Sequence, residues 1–476
     1  MDDKIKIGII TSIRSAYPSN IIEYTILSEN SLHYLSSDKK LDLYEKIQFE
    51  LDERKIVNNV ESQGLATREE YNKLIKELIN KVDIKSNVSN LRERYKNFKY
   101  YEILNKMLNK IGQSCENILP YILSGAPFII RFHGDGDGSC AALSLYLSFK
   151  SISERFSYEI KNMRWVLNKG IDYNMESLYF DESFFNSFKC VEKPVILITD
   201  FGTSIDSNVA VEKALNSYAI FWHDHHPINE NFIGIKIPDY INPLTYNGGA
   251  DFTAGLLSTI FGECLSGIMF DDIREASLIS DFSEYANKDN ITASKIALVF
   301  DFITGIKSYV GYLDGPITPK YLSKIISDKE QFNSIYTYAN NMMNDAIEIG
   351  VSKSKIYQTN DNIKVYVFNF DFVSEKYGGY LLPGRYSSKL HGYLESINNE
   401  PIITVVSFVN SISIRVSKSI SSKIGLLKII SSLKDENIFI TAGGGHQEAG
   451  SIRYESDYRL QSIKALLKLF GIQISN

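Results

Sequence analysis

A chain of 476 residues, 44% of them hydrophobic and 23% charged, with a formal net charge of −6, is sized for two or three domains with full cores and is neither a disordered chain nor a polycation. No apolar run reaches the roughly 18 residues of a membrane span, and Met1-Asp2-Asp3-Lys4 is not a basic leader, so neither a membrane partner nor a signal peptide is expected. The four cysteines, Cys115, Cys140, Cys190 and Cys264, are scattered without a CxxC pair, which suits reduced thiols and a cytoplasmic location.

Residues 4–12 alternate as a strand, and the stretch up to about Leu65 is irregular. Thr67 and Glu70 form a capping box, followed by Tyr71, Leu74, Ile75, Leu78, Ile79 and Val82 at helical spacing. A second helix is expected over Val88–Ile111. Its start interleaves Arg92, Arg94, Lys96 and Lys99 with Tyr95, Phe98, Tyr100 and Tyr101. Such a mixture can bind single strands, and it equally describes an amphipathic helix with a solvated basic face.

From Pro120 the pattern becomes strand–helix alternation. Phe128–Phe132 reads as a buried parallel strand, the following glycine-rich run as a tight turn, and Ser139–Ile152 as a helix. Pro194–Asp200 and Tyr218–Trp222 are two more apolar runs, the first ending in Asp200 and the second running into His223-Asp224-His225-His226. Ligand sites of open α/β sheets lie at such carboxyl ends. Helical sequence continues through about Leu313. Thr318 and Pro319 mark a helix start, Asp328 another, and Gly350 a helix end. Strands are expected at Ile363–Phe370, Ile402–Phe408 and Ser411–Val416, with a glycine turn at Gly443-Gly444-Gly445-His446. Residues 351–476 hold 15 Lys and Arg against 10 Asp and Glu, so the last part is mildly basic and the remainder acidic.

Of seven histidines, five fall in three clusters: His133; His223, His225 and His226; and His446. His133, Asp135, Asp137, Asp200, Asp224, His225 and His226 together exceed what one ion needs. Mixed imidazole and carboxylate ligands suit two divalent cations, Mn²⁺ ahead of Mg²⁺ or Zn²⁺. Two ions roughly 3.5–4 Å apart clamp an in-line displacement at phosphorus.

On these residues the chain resembles the DHH phosphoesterase family, in its RecJ-like and oligonuclease branches. The first motif is matched by His133-Gly134-Asp135-Gly136-Asp137-Gly138, the lone strand-end Asp by Asp200, and the namesake triplet by Asp224-His225-His226. The family's fourth Asp usually follows a Gly by four residues. Asp281 is the best match, with Ser277 where that Gly would sit and Asp271 and Asp272 as rivals. The resemblance implies His133, Asp135 and Asp200 on one metal and Asp137, Asp200, His225 and Asp281 on the other. It implies His226 on the scissile phosphate and Asp224 orienting the imidazoles; His223 has no role in it. Gly443-Gly444-Gly445-His446 resembles the mark of the family's C-terminal substrate domain, with Arg415 as its phosphate-pairing arginine; Arg385 and Arg453 are weaker candidates.

The expected architecture is therefore α/β. A mainly helical region of unknown role covers 1–118, a parallel-sheet metal domain 119–317, a connector helix 318–350, and a smaller α/β phosphate-binding domain 351–476, facing the metal domain across a cleft. The resemblance implies hydrolysis of single-stranded DNA or RNA, or short oligonucleotides, to mononucleotides by a metal-activated water. The alternatives are a phosphoesterase for cyclic dinucleotides or 3′-phosphoadenosine-type nucleotides, and a replication or repair scaffold with residues 1–118 as a protein-docking arm.

Overall fold

A computed structural model of the chain describes residues 5–15, 21–156, 161–168, 170, 172–228, 231–305, 317–377, 381, 383–445 and 447–472. Packing divides the chain into two units, Met1–Phe300 with Pro316–Lys329, and Asp301–Gly315 with Glu330–Asn476.

The first unit begins with five antiparallel strands: β1 (Ile5–Ser15), β2 (Ile22–Ser28), β3 (Leu32–Ser37), β4 (Glu45–Leu51) and β5 (Val57–Leu65). β1 is the hub, pairing β2 on one side and β4 on the other, in the order β3-β2-β1-β4-β5. β3 also lies against β5. The sheet thus curls into a partly open barrel with the strand order of an OB-fold, filled by Ile10, Tyr24, Ile26, Ile47, Phe49 and Val57. The expectation of a mainly helical 1–118 therefore fails for its first half. The physical reason is that alternation is absent where it would be sought. β2 is buried on both faces from Tyr24 to Ser28, whereas β5 buries only Val57.

Three helices follow: α1 (Arg68–Ile79), α2 (Ile84–Tyr95) and α3 (Tyr101–Leu123). α1 starts at the Thr67/Glu70 capping box. The single helix expected over Val88–Ile111 is two, because Tyr95 and Tyr100 both turn inward and are buried on either side of the break. Part of the basic–aromatic run is engaged within the fold: Arg94 pairs with Asp271, Lys96 with Glu93, and Tyr95 donates to Glu263. A boundary at 118 would fall inside α3. Ile9 and Leu27 of the barrel share one core with Leu104 and Leu108 of α3 and with Phe128, Ile130 and Leu197 beyond it.

The parallel sheet comes next. β6 (Phe128–His133) is followed by α4 (Gly136–Arg155), β7 (Met163–Asn168), α5 (Met175–Phe185), β8 (Phe188–Cys190), β9 (Val195–Thr199), α6 (Asn208–Leu215), β10 (Ala219–His223) and β11 (Asp239–Ile241). The order is β11-β10-β9-β6-β7, every pair parallel. β8 leaves this sheet and pairs antiparallel with β1, Ser12 opposite Cys190. Helices α7 (Ala254–Ser266), α8 (Asp271–Ser280), α9 (Ile291–Gly305) and α10 (Pro319–Ser327) complete the region, and Thr318 caps α10 as its sequence predicts.

The second unit holds most of α11 (Lys329–Lys353), then β12 (Lys355–Gln358), β13 (Lys364–Asn369), α12 (Asp371–Tyr377), α13 (Pro383–Ile397), β14 (Ile402–Ser407), β15 (Ser411–Val416), α14 (Lys418–Ile424), α15 (Leu426–Glu436), β16 (Ile440–Gly445), β17 (Ala449–Tyr454) and α16 (Arg459–Leu469). Its six-stranded sheet runs β12-β13-β14-β15-β17-β16. Gly350 does not end α11. A Cβ there would lie 2.3 Å from the Tyr386 hydroxyl, so the glycine admits α13. Among the described residues no helix is long and apolar enough to cross a membrane.

Candidate metal centre

The carboxyl ends of β6, β9 and β10 bring His133, Asp135, Asp200, Asp224, His225 and His226 to one place. His133 is the last residue of β6. Asp135 caps α4 by accepting the Gly138 N–H at 3.0 Å. His133 Nδ1 lies 3.2 Å from Asp135 Oδ2 and 3.5 Å from Asp200 Oδ2. Asp200 follows β9 in a left-handed conformation, φ 68°, which Asp tolerates better than most residues. Its other oxygen faces His225 Nε2 at 3.4 Å, and Asp281, the C-cap of α8, stands 3.7 Å from the same nitrogen. The rivals are engaged elsewhere: Asp271 binds Arg94 and Arg274, and Asp272 accepts from Asn290.

Hydrogen bonds settle which ring nitrogens are open. His225 Nδ1 is 2.7 Å from the Ala250 carbonyl and must donate to it, which leaves the lone pair of the neutral ring on Nε2. His226 Nδ1 donates to Asp224 Oδ1 at 2.8 Å, and that oxygen also takes the backbone N–H of His225 and of His226. Asp224 is fully buried, while the His226 side chain is half-exposed. Burial lowers the basicity of the His133 and His225 imidazoles, but the carboxylates of Asp135, Asp200 and Asp281 override it and hold both well above the ordinary value. Burial raises the Asp224 carboxyl, and the neighbouring imidazoles more than reverse this.

Ligand-type atoms of His133, Asp135 and Asp200 lie within 4.8 Å of one another, as do those of Asp200, Asp224, His225 and His226. Asp200 is common to both groups. Its Oδ2 is buried without a hydrogen-bond partner, and a Cβ on Gly138 would sit 3.0 Å from that oxygen. An orphaned carboxylate oxygen, a close approach open only to glycine, and a His/Asp donor set all fit divalent cations. Asp137 stands apart from both groups. It is buried, and accepts from Ala254 N at 3.0 Å, Gly255 N at 3.0 Å and Ser277 Oγ at 2.6 Å. Burial and the adjacent Asp200 push its carboxyl well above the usual range.

No family model matches the chain. An uncharacterized protein of Methanocaldococcus jannaschii is 23% identical over 420 residues, 77% of this chain and 54% of that protein, so the chain spans about half the length of the curated relative it matches. RecJ from Thermus thermophilus, solved with Mn²⁺, is similar at a TM-score of 0.47 with 12% identity, over 76% of this chain and 54% of that one. The DHH domain of a member of a ribosomal-protein family matches at a TM-score of 0.66 with 20% identity, over 82% of this chain and 99% of that one. The chain has the DHH fold.

Within this DHH fold two supports were not legible as site residues. Gly255 brings the α7 N-terminus onto Asp137; a Cβ there would lie 2.6 Å from Asp137 Oδ1. Arg131, two residues before His133, is buried in a bidentate pair with Asp181 (Nη2–Oδ1 2.6 Å, Nε–Oδ2 3.0 Å) and ties β6 to α5. Thr253, an N-cap residue type just before an apolar run, is the sequence feature that could have pointed to the first; the second has none.

In the second unit, Arg415 on β15 donates to Ser388 Oγ, Ser413 Oγ and the carbonyls of Ile414 and Gly384, all neutral acceptors. Burial and then Arg385 lower it to about 10; Arg385 itself pairs with Asp301. Gly443, Gly444 and Gly445 do not form a turn but end the edge strand β16. Gly443 packs where a Cβ would meet Ile430 at 2.8 Å, Gly445 has φ 145°, and Gly444 has open space. Arg453 lies on β17, opposite Ser411 and Ala442. His446 lies outside the described residues.

Proposed function

We propose that the chain is a metal-dependent phosphodiesterase that removes mononucleotides from an end of single-stranded DNA or RNA, or from short oligonucleotides. The observation that carries this reading is Asp200: one buried carboxylate faces His133 through one oxygen and His225 through the other. When bound, a pair of divalent cations, Mn²⁺ or Mg²⁺, would activate water at neutral pH and offset charge on the phosphate. His133, Asp135 and Asp200 would hold one position; Asp200, His225, Asp281 and Asp137 would hold the other. Asp224 fixes the His226 ring by its Nδ1–H, so Nε2 is the atom that meets the scissile phosphate. Arg415, Gly443, Gly444, Gly445 and His446 are the phosphate-contacting group of the last domain.

The test is a product time course with purified chain and Mn²⁺ on 5′- and 3′-labelled single strands, beside a cyclic dinucleotide. Mononucleotides accumulating from one labelled end are expected. Turnover of the cyclic dinucleotide alone would overturn the exonuclease reading, and turnover of neither would overturn the phosphodiesterase.

A further inference from the structure

The site departs from the family pattern at one residue, Ser277 in place of Gly, and that residue touches Asp137. An ionised carboxylate offers about two acceptor directions per oxygen. On Asp137 Oδ1 both are taken, by the Gly255 N–H at 3.0 Å and the Ser277 hydroxyl at 2.6 Å. On Oδ2 one is taken, by the Ala254 N–H at 3.0 Å. The proton direction at Ser277 follows from its neighbour. A carboxylate oxygen can only accept, so Ser277 gives its proton to Asp137, and Thr253 Oγ1, which accepts the Leu256 N–H, in turn donates to Ser277 Oγ. Asp137, Thr253 and Ser277 are all buried, so water has no ready place in this arrangement.

We propose that Ser277 is a cation-specificity residue. By filling Oδ1 it restricts Asp137 to single-oxygen ligation through Oδ2, which disfavours Ca²⁺ at the second cation position. Ca²⁺ takes six to eight oxygens, often with a carboxylate giving both, whereas Mg²⁺ needs near-octahedral single-oxygen ligation, and Mn²⁺ is likewise served by an octahedral set. This deepens the two-cation reading above and rests on it.

The experiment is Mn²⁺ binding to the full chain followed by electron paramagnetic resonance, with Ca²⁺ as competitor, for the native chain, Ser277→Gly and Ser277→Ala. Two Mn²⁺ per chain are expected in all three, with Ca²⁺ displacing the second at about tenfold lower concentration in the variants. Coincident competition curves with two Mn²⁺ bound would overturn the specificity role alone. Loss of the second Mn²⁺ in both variants would overturn it too, because Ser277 would then build the position rather than select its ion. Fewer than two Mn²⁺ on the native chain would instead sink the two-cation reading itself. Should the alanine variant fail to fold, Ser277→Gly, which restores the family's residue, decides.

Discussion

His225 hands its Nδ1 proton to the carbonyl of Ala250 at 2.7 Å, and that one bond determines that its other nitrogen faces Asp200 unprotonated when a cation is bound. A main-chain acceptor cannot be removed by substitution, so the imidazole's tautomer is set by the fold of the 242–253 loop. The side chains around it can be tested.

Asp200→Asn keeps a residue that tolerates the left-handed backbone and removes only the charge. Mn²⁺ binding and hydrolysis should both fall by more than about 100-fold, beyond what loss of an outer partner costs. Calorimetric Mn²⁺ titration with a circular dichroism check of fold measures this; an unchanged Mn²⁺ isotherm would remove Asp200 from the site.

Asp224→Asn should act differently. It loses the charged acceptor that holds His226 and both backbone N–H groups, while the ligand atoms stay in place. Turnover of a labelled single strand should fall by about 10- to 100-fold with Mn²⁺ stoichiometry kept. Equal losses of binding and turnover would instead make Asp224 a ligand.

Gly255→Ala forces a methyl to within 2.6 Å of both Asp137 Oδ1 and Ser277 Oγ. Destabilisation of about 1–3 kcal/mol is expected in urea unfolding, the usual cost of overpacking a rigid site. A variant as stable as the native chain would show that α7 can shift away from Asp137.

Arg131→Met alone strands the fully buried Asp181 carboxylate and should cost about 3–5 kcal/mol, whereas Arg131→Met with Asp181→Leu should recover most of it. Equal losses in the single and double variants would assign the pair a role beyond its own charge balance.

His33 gives a pH signature. Burial, then Lys6 and Lys55, lower it from 6.5 to about 4, and its Nε2 lies between the Ser28 and Ser31 hydroxyls. The unfolded chain therefore binds a proton between about pH 6.5 and 4 that the folded chain refuses. Stability must decline as pH falls through that window, by something on the order of 3 kcal/mol, and this contribution levels off below it. His33→Gln should flatten that part of the profile; an unaltered slope would place the titrating group elsewhere.

The parallel sheet and the gathering of His and Asp at its strand ends were legible because a strand buried on both faces reads as an unbroken apolar run, and each of three such runs ends at or beside His or Asp. The barrel was not, because Tyr24–Ser28 shows no alternation and the β5 surface is almost wholly exposed. The glycine run of residues 443–445 was misread as a turn because glycine serves two ends. Gly443 makes room for Ile430, and only Gly445 needs its backbone freedom. Gly350 misled in the same way.

β8 has one further consequence. Its three residues, Phe188–Cys190, come from the middle of the metal-binding half yet complete the edge of the opening barrel through Ser12–Arg14. The first sixty-odd residues are therefore stitched to the parallel-sheet half by main-chain hydrogen bonds as well as by shared apolar packing. Heating should dissolve both together, and a chain trimmed to begin at residue 119 would emerge with a raw strand edge and a stripped apolar flank, prone to aggregate.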